Sequence, residues 1–378
     1  MRLCIVAGEA SGDLHASAVV HELRKLDPDI EMFGFGGDLL AAEGMTILHH
    51  VSELGIVGLF NVLRHLSMFR RVFDQLLSEI ARQRPDAVLL VDYPDFNLRV
   101  ARRCRGLGIP VIYYISPQVW AWRKGRVAQI ARFVDHMIVI FPFEEELYRR
   151  HGVPVTYVGH PLVEQLAPIA AAAFDIPDSV VHLALLPGSR RSEVDELLPR
   201  MLDAVAILSR ELLVRPFIVR APTIQAEQIE QIVRQKGVSV PVIHERQREE
   251  LAMADLALSS SGTATLESAL LGVPVIVMYR LTTATYLAAR WLVRLPHFSL
   301  VNIVAGKRVV PELLQGQVTG KRIAGEVRNL LDPERYAQVR GELDEVRRKL
   351  GETGASRRAA EKIYKLVTGS HRAVVNER

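Results

Sequence analysis

Along the chain, short and nearly unbroken apolar runs alternate with longer segments whose apolar residues recur every third or fourth position. LCIVAG, IEMFGF, DAVLLVDY, PVIYYIS, HMIVIF and VTYVG are runs of the first kind, and the stretches from about Asp13 to Leu26, up to Arg82 and up to Leu107 are of the second. Continuous apolar strands separated by helices predict an α/β chain whose parallel sheet is covered on both faces, since a strand with one solvent face would alternate instead. A second series of the same kind follows: HLALLPG, a long helix from Glu193, PFIVRAP, a helix, VPVIH, DLALSSSG, a helix and PVIVMY. The seam falls after Gly159-His160-Pro161, where the alanine-rich LAPIAAAAFDIPDS has no strand pattern. RGLGIPVIYY and LLGVPVIVMY echo one another as a helix end, a Gly cap, a Pro and a strand, which supports two similar units. The pattern places the first unit at residues 1–162, the second at 163–345, and basic helices at 346–378.

Composition changes this picture little. A length of 378 residues with 49% apolar and 24% charged residues suits two cores. A net charge of +4 and a pI near 9.1, with clusters such as Arg70-Arg71 and Arg102-Arg103, point to anionic partners. Nucleic acid is not expected, because no finger, basic zipper or RNP-like aromatic pattern occurs. Cys4 and Cys104 form neither a CxxC pair nor a disulfide framework, which suits the cytosol. No uncharged apolar run approaches the roughly 18 residues of a membrane span. No metal site and no cofactor are expected: the histidines show no HExxH, and the one D-x-D, Asp27-Pro28-Asp29, precedes a strand.

Ligands of open parallel sheets bind beyond the carboxyl ends of the strands, which directs attention to four loops. In VAGEASGD, Gly8 and Gly12 bracket Glu9, which can accept hydrogen bonds from hydroxyls; the loop reads equally as a tight turn capped by Ser11 or Asp13. It lacks the spacing of a dinucleotide fingerprint, and GFGGDLL, which comes closer, has no clear ribose-binding acid after it. In VDYPDFN, Asp92 and Asp95 flank Pro94, so either could take a proton from a hydroxyl, while Asp95 or Asn97 could equally cap the next helix. In LLPGSRRSEV, Gly188, Ser189 and Arg190 bring free amides and a guanidinium to a helix start, which suits a diphosphate; a plain capped start is the alternative. In SSSGTATLE, Gly262 and Thr263 open a helix and Glu267 stands a turn further in. Ala264 stands three residues before Glu267, so no capping box explains the acid. Sugar hydroxyls or a salt bridge to Arg280 would.

VAGEASGD, VDYPDFN, SPQVWAWRKGR, LLPGSR, SSSGTATLE and SLVNIVAG stand in this order across nearly the whole chain, and in them the sequence resembles the lipid-A-disaccharide synthases of Gram-negative bacteria. The resemblance implies a GT-B glycosyltransferase: two Rossmann-like domains facing a cleft, with the C-terminal helices crossing back to the first. It implies transfer of 2,3-diacylglucosamine from UDP-2,3-diacylglucosamine to the 6-hydroxyl of 2,3-diacylglucosamine 1-phosphate, with inversion, giving a β-1,6 disaccharide and UDP. Carried over by motif, Asp95 is the base, Glu9 an active-site acid, Arg190 a phosphate ligand, Asn302 a further substrate-binding residue and Glu267 the ribose ligand. Where many relatives read DAPDFN, this chain has Tyr93, and both aspartates remain. Another UDP-sugar enzyme on the same fold, a 2-epimerase or a transferase with a soluble acceptor, is the alternative. A protein that binds nucleotide-sugars or membranes without catalysis is a second.

Lipid substrates call for a surface that reaches a membrane. Residues 52–77 place Ile56, Leu59, Phe60, Leu63, Leu66, Phe69, Val72, Phe73 and Leu76 at helical spacing beside Arg64, Arg70 and Arg71, which predicts an interfacial helix on the cytoplasmic face of the inner membrane. TYLAARWLVRLPHF, with Trp291, is a second such segment, and Arg123, Lys124 and Arg126 near Trp120 and Trp122 are placed to meet an acceptor phosphate. A homo-oligomer is left open.

Overall fold

A computed structural model describes residues 1–55, 66–117, 124–169, 180–280 and 296–375. The chain forms two compact units, Met1–Pro161 with Glu352–Arg378, and Leu162–Gly351.

In the first unit, seven strands lie parallel in the order β3-β2-β1-β4-β5-β6-β7. They are β1 (Arg2–Ala7), β2 (Glu31–Gly36), β3 (Thr46–His50), β4 (Ala87–Val91), β5 (Val111–Tyr114), β6 (His136–Val139) and β7 (Val155–Tyr157). The two central strands are almost wholly buried, as their unbroken apolar runs require. GFGG is explained by packing. Gly34 has φ +142°, and a Cβ there would collide with the Ile5 carbonyl of β1, so the glycine serves strand approach and not a dinucleotide. Asp13 does not cap its own helix α1 (Ala10–Leu26), which begins at Glu9 without a side-chain cap. Its buried carboxylate instead accepts hydrogen bonds from Gly37, Leu39 and Leu40 amides at 2.7, 3.1 and 3.2 Å, capping α2 (Asp38–Ala42).

The predicted interfacial helix divides. Residues 56–65 lie outside the described residues. After α3 (Val51–Gly55), α4 (Leu66–Gln83) buries Val72, Leu76 and Ile80 in the first unit's core, with Phe69, Phe73 and Leu77 packed against it. That corrects the reading for this part: the apolar stripe of α4 faces protein, and Arg70 and Arg71 lie on its exposed side. The second segment lies outside the described residues up to Leu295.

The second unit holds six parallel strands in the order β10-β9-β8-β11-β12-β13. They are β8 (Val180–Leu186), β9 (Leu213–Val219), β10 (Val242–Ile243), β11 (Leu256–Ser260), β12 (Val275–Tyr279) and β13 (Glu312–Leu314). The echoed junctions have one geometry. Gly108 and Gly272 take φ +68° and +74°, and the next residues, Ile109 and Val273, donate back to Cys104 and Ser268 carbonyls at 3.1 and 2.9 Å. Helix Pro333–Lys349 belongs to the second unit, so residues 346–351 stay there. Helix Ala355–Val375 returns to the first, where it packs on α1 and Arg358 Nε donates to the Val158 carbonyl at 2.8 Å.

In each sheet the chain starts in the middle and reverses direction, between β1 and β4 and again between β8 and β11. At such a switch point the connections leave in opposite directions and open a crevice beyond the strand ends. The four loops singled out above follow β1, β4, β8 and β11. All four stand at a switch point.

Candidate active site

At the first switch point, Asp92 and Tyr93 follow β4 with φ +45° and +48°, two consecutive non-glycine residues in the left-handed region. Each costs roughly 1–2 kcal/mol. The conformation is held from several sides: the Asp92 amide donates to Tyr114 O at 3.1 Å, and its carbonyl accepts from Asn97 Nδ2 and Tyr113 Oη at 2.7 and 2.6 Å. Asn97 is fully buried and anchors this bend, so it is no cap, and Tyr93 is the residue that opens α5 (Pro94–Gly106). The Tyr93 ring lies where a Cβ on Gly8 would be, which brings the β1 and β4 loops into contact and requires glycine at position 8.

The two aspartates have different surroundings. Asp92 is largely buried, and burial, followed by the Glu9 charge, pushes its carboxyl up to about 6. Asp95, in the first turn of α5, is exposed and pairs with Arg126 of α6 (Lys124–Phe133). Arg126 was expected at an acceptor phosphate; its described partner is Asp95. Trp120, Trp122 and Arg123 lie outside the described residues, as does the side chain of Lys124.

At the second switch point a cavity of about 710 Å³ opens over the ends of β8, β9 and β11, lined by Gly188, Ser189, Arg190, Gly262, Thr263 and Glu267 among others. Gly188 has φ +125° and precedes α9 (Arg191–Leu208), whose N-cap is Arg190. Glu193 occupies this helix start: its carboxylate accepts from the Ser189 amide at 3.2 Å and from Arg190 Nη1 at 3.0 Å. An acid already sits on the donors that would meet a phosphate. Sequence reasoning missed it, although a Glu at the third position of a helix commonly reaches back to the backbone at the helix start, here to the amide one residue before the N-cap.

Across the cavity, Gly262 has φ +151° and open space where a Cβ would project, so backbone angle alone demands glycine before α12 (Thr263–Leu270). The first amides of that helix have no intrahelical acceptor and favour an anion. Glu267 is about one-fifth exposed and does form an ion pair, but with Arg248. Arg248 Nε and Nη2 both donate to Glu267 Oε1, at 3.1 and 2.8 Å, and Nη2 also reaches Gln165 Oε1 at 3.2 Å. Arg280 pairs with Glu196 instead, at 2.8 Å. Among the described residues Oε2 of Glu267 accepts nothing. Nothing in the spacing could have named Arg248, since the pair closes through the fold.

Asn302 departs from its expected place. It is fully buried; its Oδ1 accepts from Val309 and Val310 amides at 2.8 and 3.0 Å, and its Nδ2 donates to Val310 O at 3.0 Å. With every polar atom spent on backbone and none lining the cavity, Asn302 fixes the turn after α13 (Leu300–Ala305) and does not present itself to a ligand.

Residues 3–366 match the family profile described as Lipid-A-disaccharide synthetase. The lipid-A-disaccharide synthase of Myxococcus xanthus is 44% identical over 377 residues, 97% of each chain, and that of Geobacter sulfurreducens 42% over 366, 95% of each. The chain belongs to the lipid-A-disaccharide synthase family. Like the family, it is a UDP-sugar glycosyltransferase of lipid A biosynthesis. Solved structures with the same GT-B fold include the glycotransferase of kitacinnamycin, at TM-score 0.64, 16% identity and 96% and 98% coverage. The UDP-GlcNAc 2-epimerase of Neisseria meningitidis, bound to UDP-GlcNAc, has TM-score 0.63 at 14% identity, covering 97% of this synthase-family chain and 100% of its own. At that identity the likeness is one of fold.

Proposed function

We propose that the chain transfers 2,3-diacylglucosamine from UDP-2,3-diacylglucosamine to the 6-hydroxyl of 2,3-diacylglucosamine 1-phosphate, with inversion. The observation that carries this is the placing of the motif loops at the two switch points, proton acceptors on one sheet and anion donors on the other. Asp95 removes the proton of the 6-hydroxyl as its oxygen bonds to the anomeric carbon, and the bond to the diphosphate breaks with its electron pair leaving on UDP. Arg190, the Gly188–Ser189 loop and the Gly262–Thr263 helix start meet the departing charge, and Glu267 accepts the ribose hydroxyls. Glu9 assists at the acceptor side. Asn302 acts through the backbone it holds.

Because the substrates are lipids, the reading places the protein peripherally on the cytoplasmic face of the inner membrane. Among the described residues no helix is long and apolar enough to cross a membrane. Incubating the purified chain with both substrates in detergent should release UDP and disaccharide 1-phosphate in equal amounts. A UDP-sugar altered at C2, with no disaccharide, would establish the epimerase alternative.

The two acids of the donor cavity should respond in opposite directions. Glu267→Gln loses a charged acceptor, and UDP affinity by titration calorimetry should fall roughly tenfold to a hundredfold, a far larger effect than the small loss of stability from its ion pair with Arg248. Glu193→Gln removes a carboxylate from the phosphate donors and should tighten UDP about two- to fivefold. A Glu267→Gln protein that melts early and binds UDP normally would reduce Glu267 to the anchor of Arg248.

A further inference from the structure

Helix α5 carries Asp95 at its start and an unrelated feature along its length. It buries Phe96, Asn97, Leu98, Val100, Ala101 and Cys104, which leaves Arg99, Arg102 and Arg103 exposed together at i, i+3 and i+4. Like charges at that spacing repel. Among the described residues no carboxylate offsets them. Several other exposed helix arginines of the first unit do have acid partners: Arg82 with Glu79, Arg149 with Glu145 and Arg150 with Glu146, and on α5 itself Arg105 with Asp135. A stripe that the free protein leaves uncompensated is one that an outside anion can satisfy.

The stripe edges a groove of about 890 Å³ between α4 and α5, whose apolar lining is Phe73, Leu77, Ala81 and Leu107. Leu107 is 36% exposed, one of the few large apolar side chains so placed. The groove's acid, Asp74, is faced by Arg70 at 3.8 Å, so the local balance stays positive. Arg102 also borders a second, smaller hollow against α6, where the Arg132 guanidinium lies 5.5 Å from the Phe133 ring centroid. Cations flanking an apolar trough match a molecule with an anionic group joined to hydrocarbon. A nucleic acid would want aromatic faces open for stacking, and Phe73, the aromatic residue lining the groove, is half-buried.

We propose that the α4–α5 groove seats anionic glycerophospholipid headgroups of a bilayer surface, with Arg99, Arg102 and Arg103 on the phosphates and Leu77 and Leu107 against the acyl-glycerol region. The proposal rests on the peripheral-membrane part of the reading above and gives it a place on the fold. It does not depend on the transfer chemistry.

Vesicle flotation of the full chain tests it. The protein should rise with vesicles of phosphatidylcholine and phosphatidylglycerol, much less with phosphatidylcholine alone, and salt should weaken the binding. Substituting Arg99, Arg102 and Arg103 together by Gln should lower the apparent affinity on the order of a hundredfold. Turnover on detergent-dispersed substrates should stay unchanged, which separates failure of this site from failure of the catalytic reading. The same three positions as Lys should retain binding within a few-fold, and Leu107→Ser should lower it roughly fivefold. Equal flotation of the Gln variant and the unaltered protein would overturn the proposal. So would a Gln variant that loses retention of RNA while floating normally.

Discussion

Asp95→Ala is expected to lower turnover of the two lipid substrates by about 10²–10⁴-fold, the usual contribution of a positioned base. The effect should appear in the chemical step and leave UDP affinity unchanged, because the residues assigned to UDP lie in the second unit and Asp95 in the first. Folding is expected to suffer little beside the loss of rate, since Asp95 is an exposed side chain at a helix start, although its partner Arg126 is only 15% exposed and loses this ion pair. Asp95→Asn sharpens the test: it keeps a hydrogen-bonding group of the same shape that can still meet Arg126, and removes the charge and the ability to accept the proton. Single-turnover measurement of UDP release should show both variants equally slow. If Asp95→Asn retained most of its rate, the base would have to be sought in Asp92 or Glu9.

The choice between these acids shows where sequence pattern stops. The alternation of most strands with helices could be anticipated from apolar runs, and with it the four loops, but neither the strand order nor the short strands β3 and β13 could; the order decides which loops share a crevice where the connections reverse. Periodicity also announced α4, but could not say which surface its stripe would meet; Val72, Leu76 and Ile80 meet the core. Side chains that act at long range in sequence were not legible. Asp13 caps a helix two dozen residues away, Arg248 reaches Glu267 from the separate short helix Gln247–Ala252, and Asn302 spends itself on the Val309–Val310 backbone. Each is a local polar residue whose partner is supplied by tertiary packing, and no local rule names it. Burial divides Asp92 from Asp95 in the same way. Three positions apart on the chain, one is largely buried in the bend after β4 and the other is open to solvent.

Asp92 makes a separate and measurable prediction about stability. Burial, and after it the Glu9 charge, pushes its carboxyl up from 3.8 to about 6, against the smaller opposing pull of the Tyr93 backbone hydrogen bond. Below the unfolded value both states carry the proton and the site costs nothing. Between the two values the unfolded chain releases its proton while the folded chain keeps it, so stability falls as the pH rises through this window and the loss is complete above about 6. The shift corresponds to about 3 kcal/mol. Asp92→Asn keeps the shape and never ionises, so its stability relative to the unaltered chain should rise by up to about 3 kcal/mol between about pH 4 and about pH 8. Urea midpoints of the two proteins at each pH measure this directly. The gain should come with slower turnover, because an acid held beside Glu9 in a strained bend costs the free protein more than its Tyr93 backbone hydrogen bond returns, and such cost is commonly retained where activity depends on it. A difference between the two proteins that does not change with pH would show that Asp92 is hydrated, and that the Tyr93 bend encloses no proton at all.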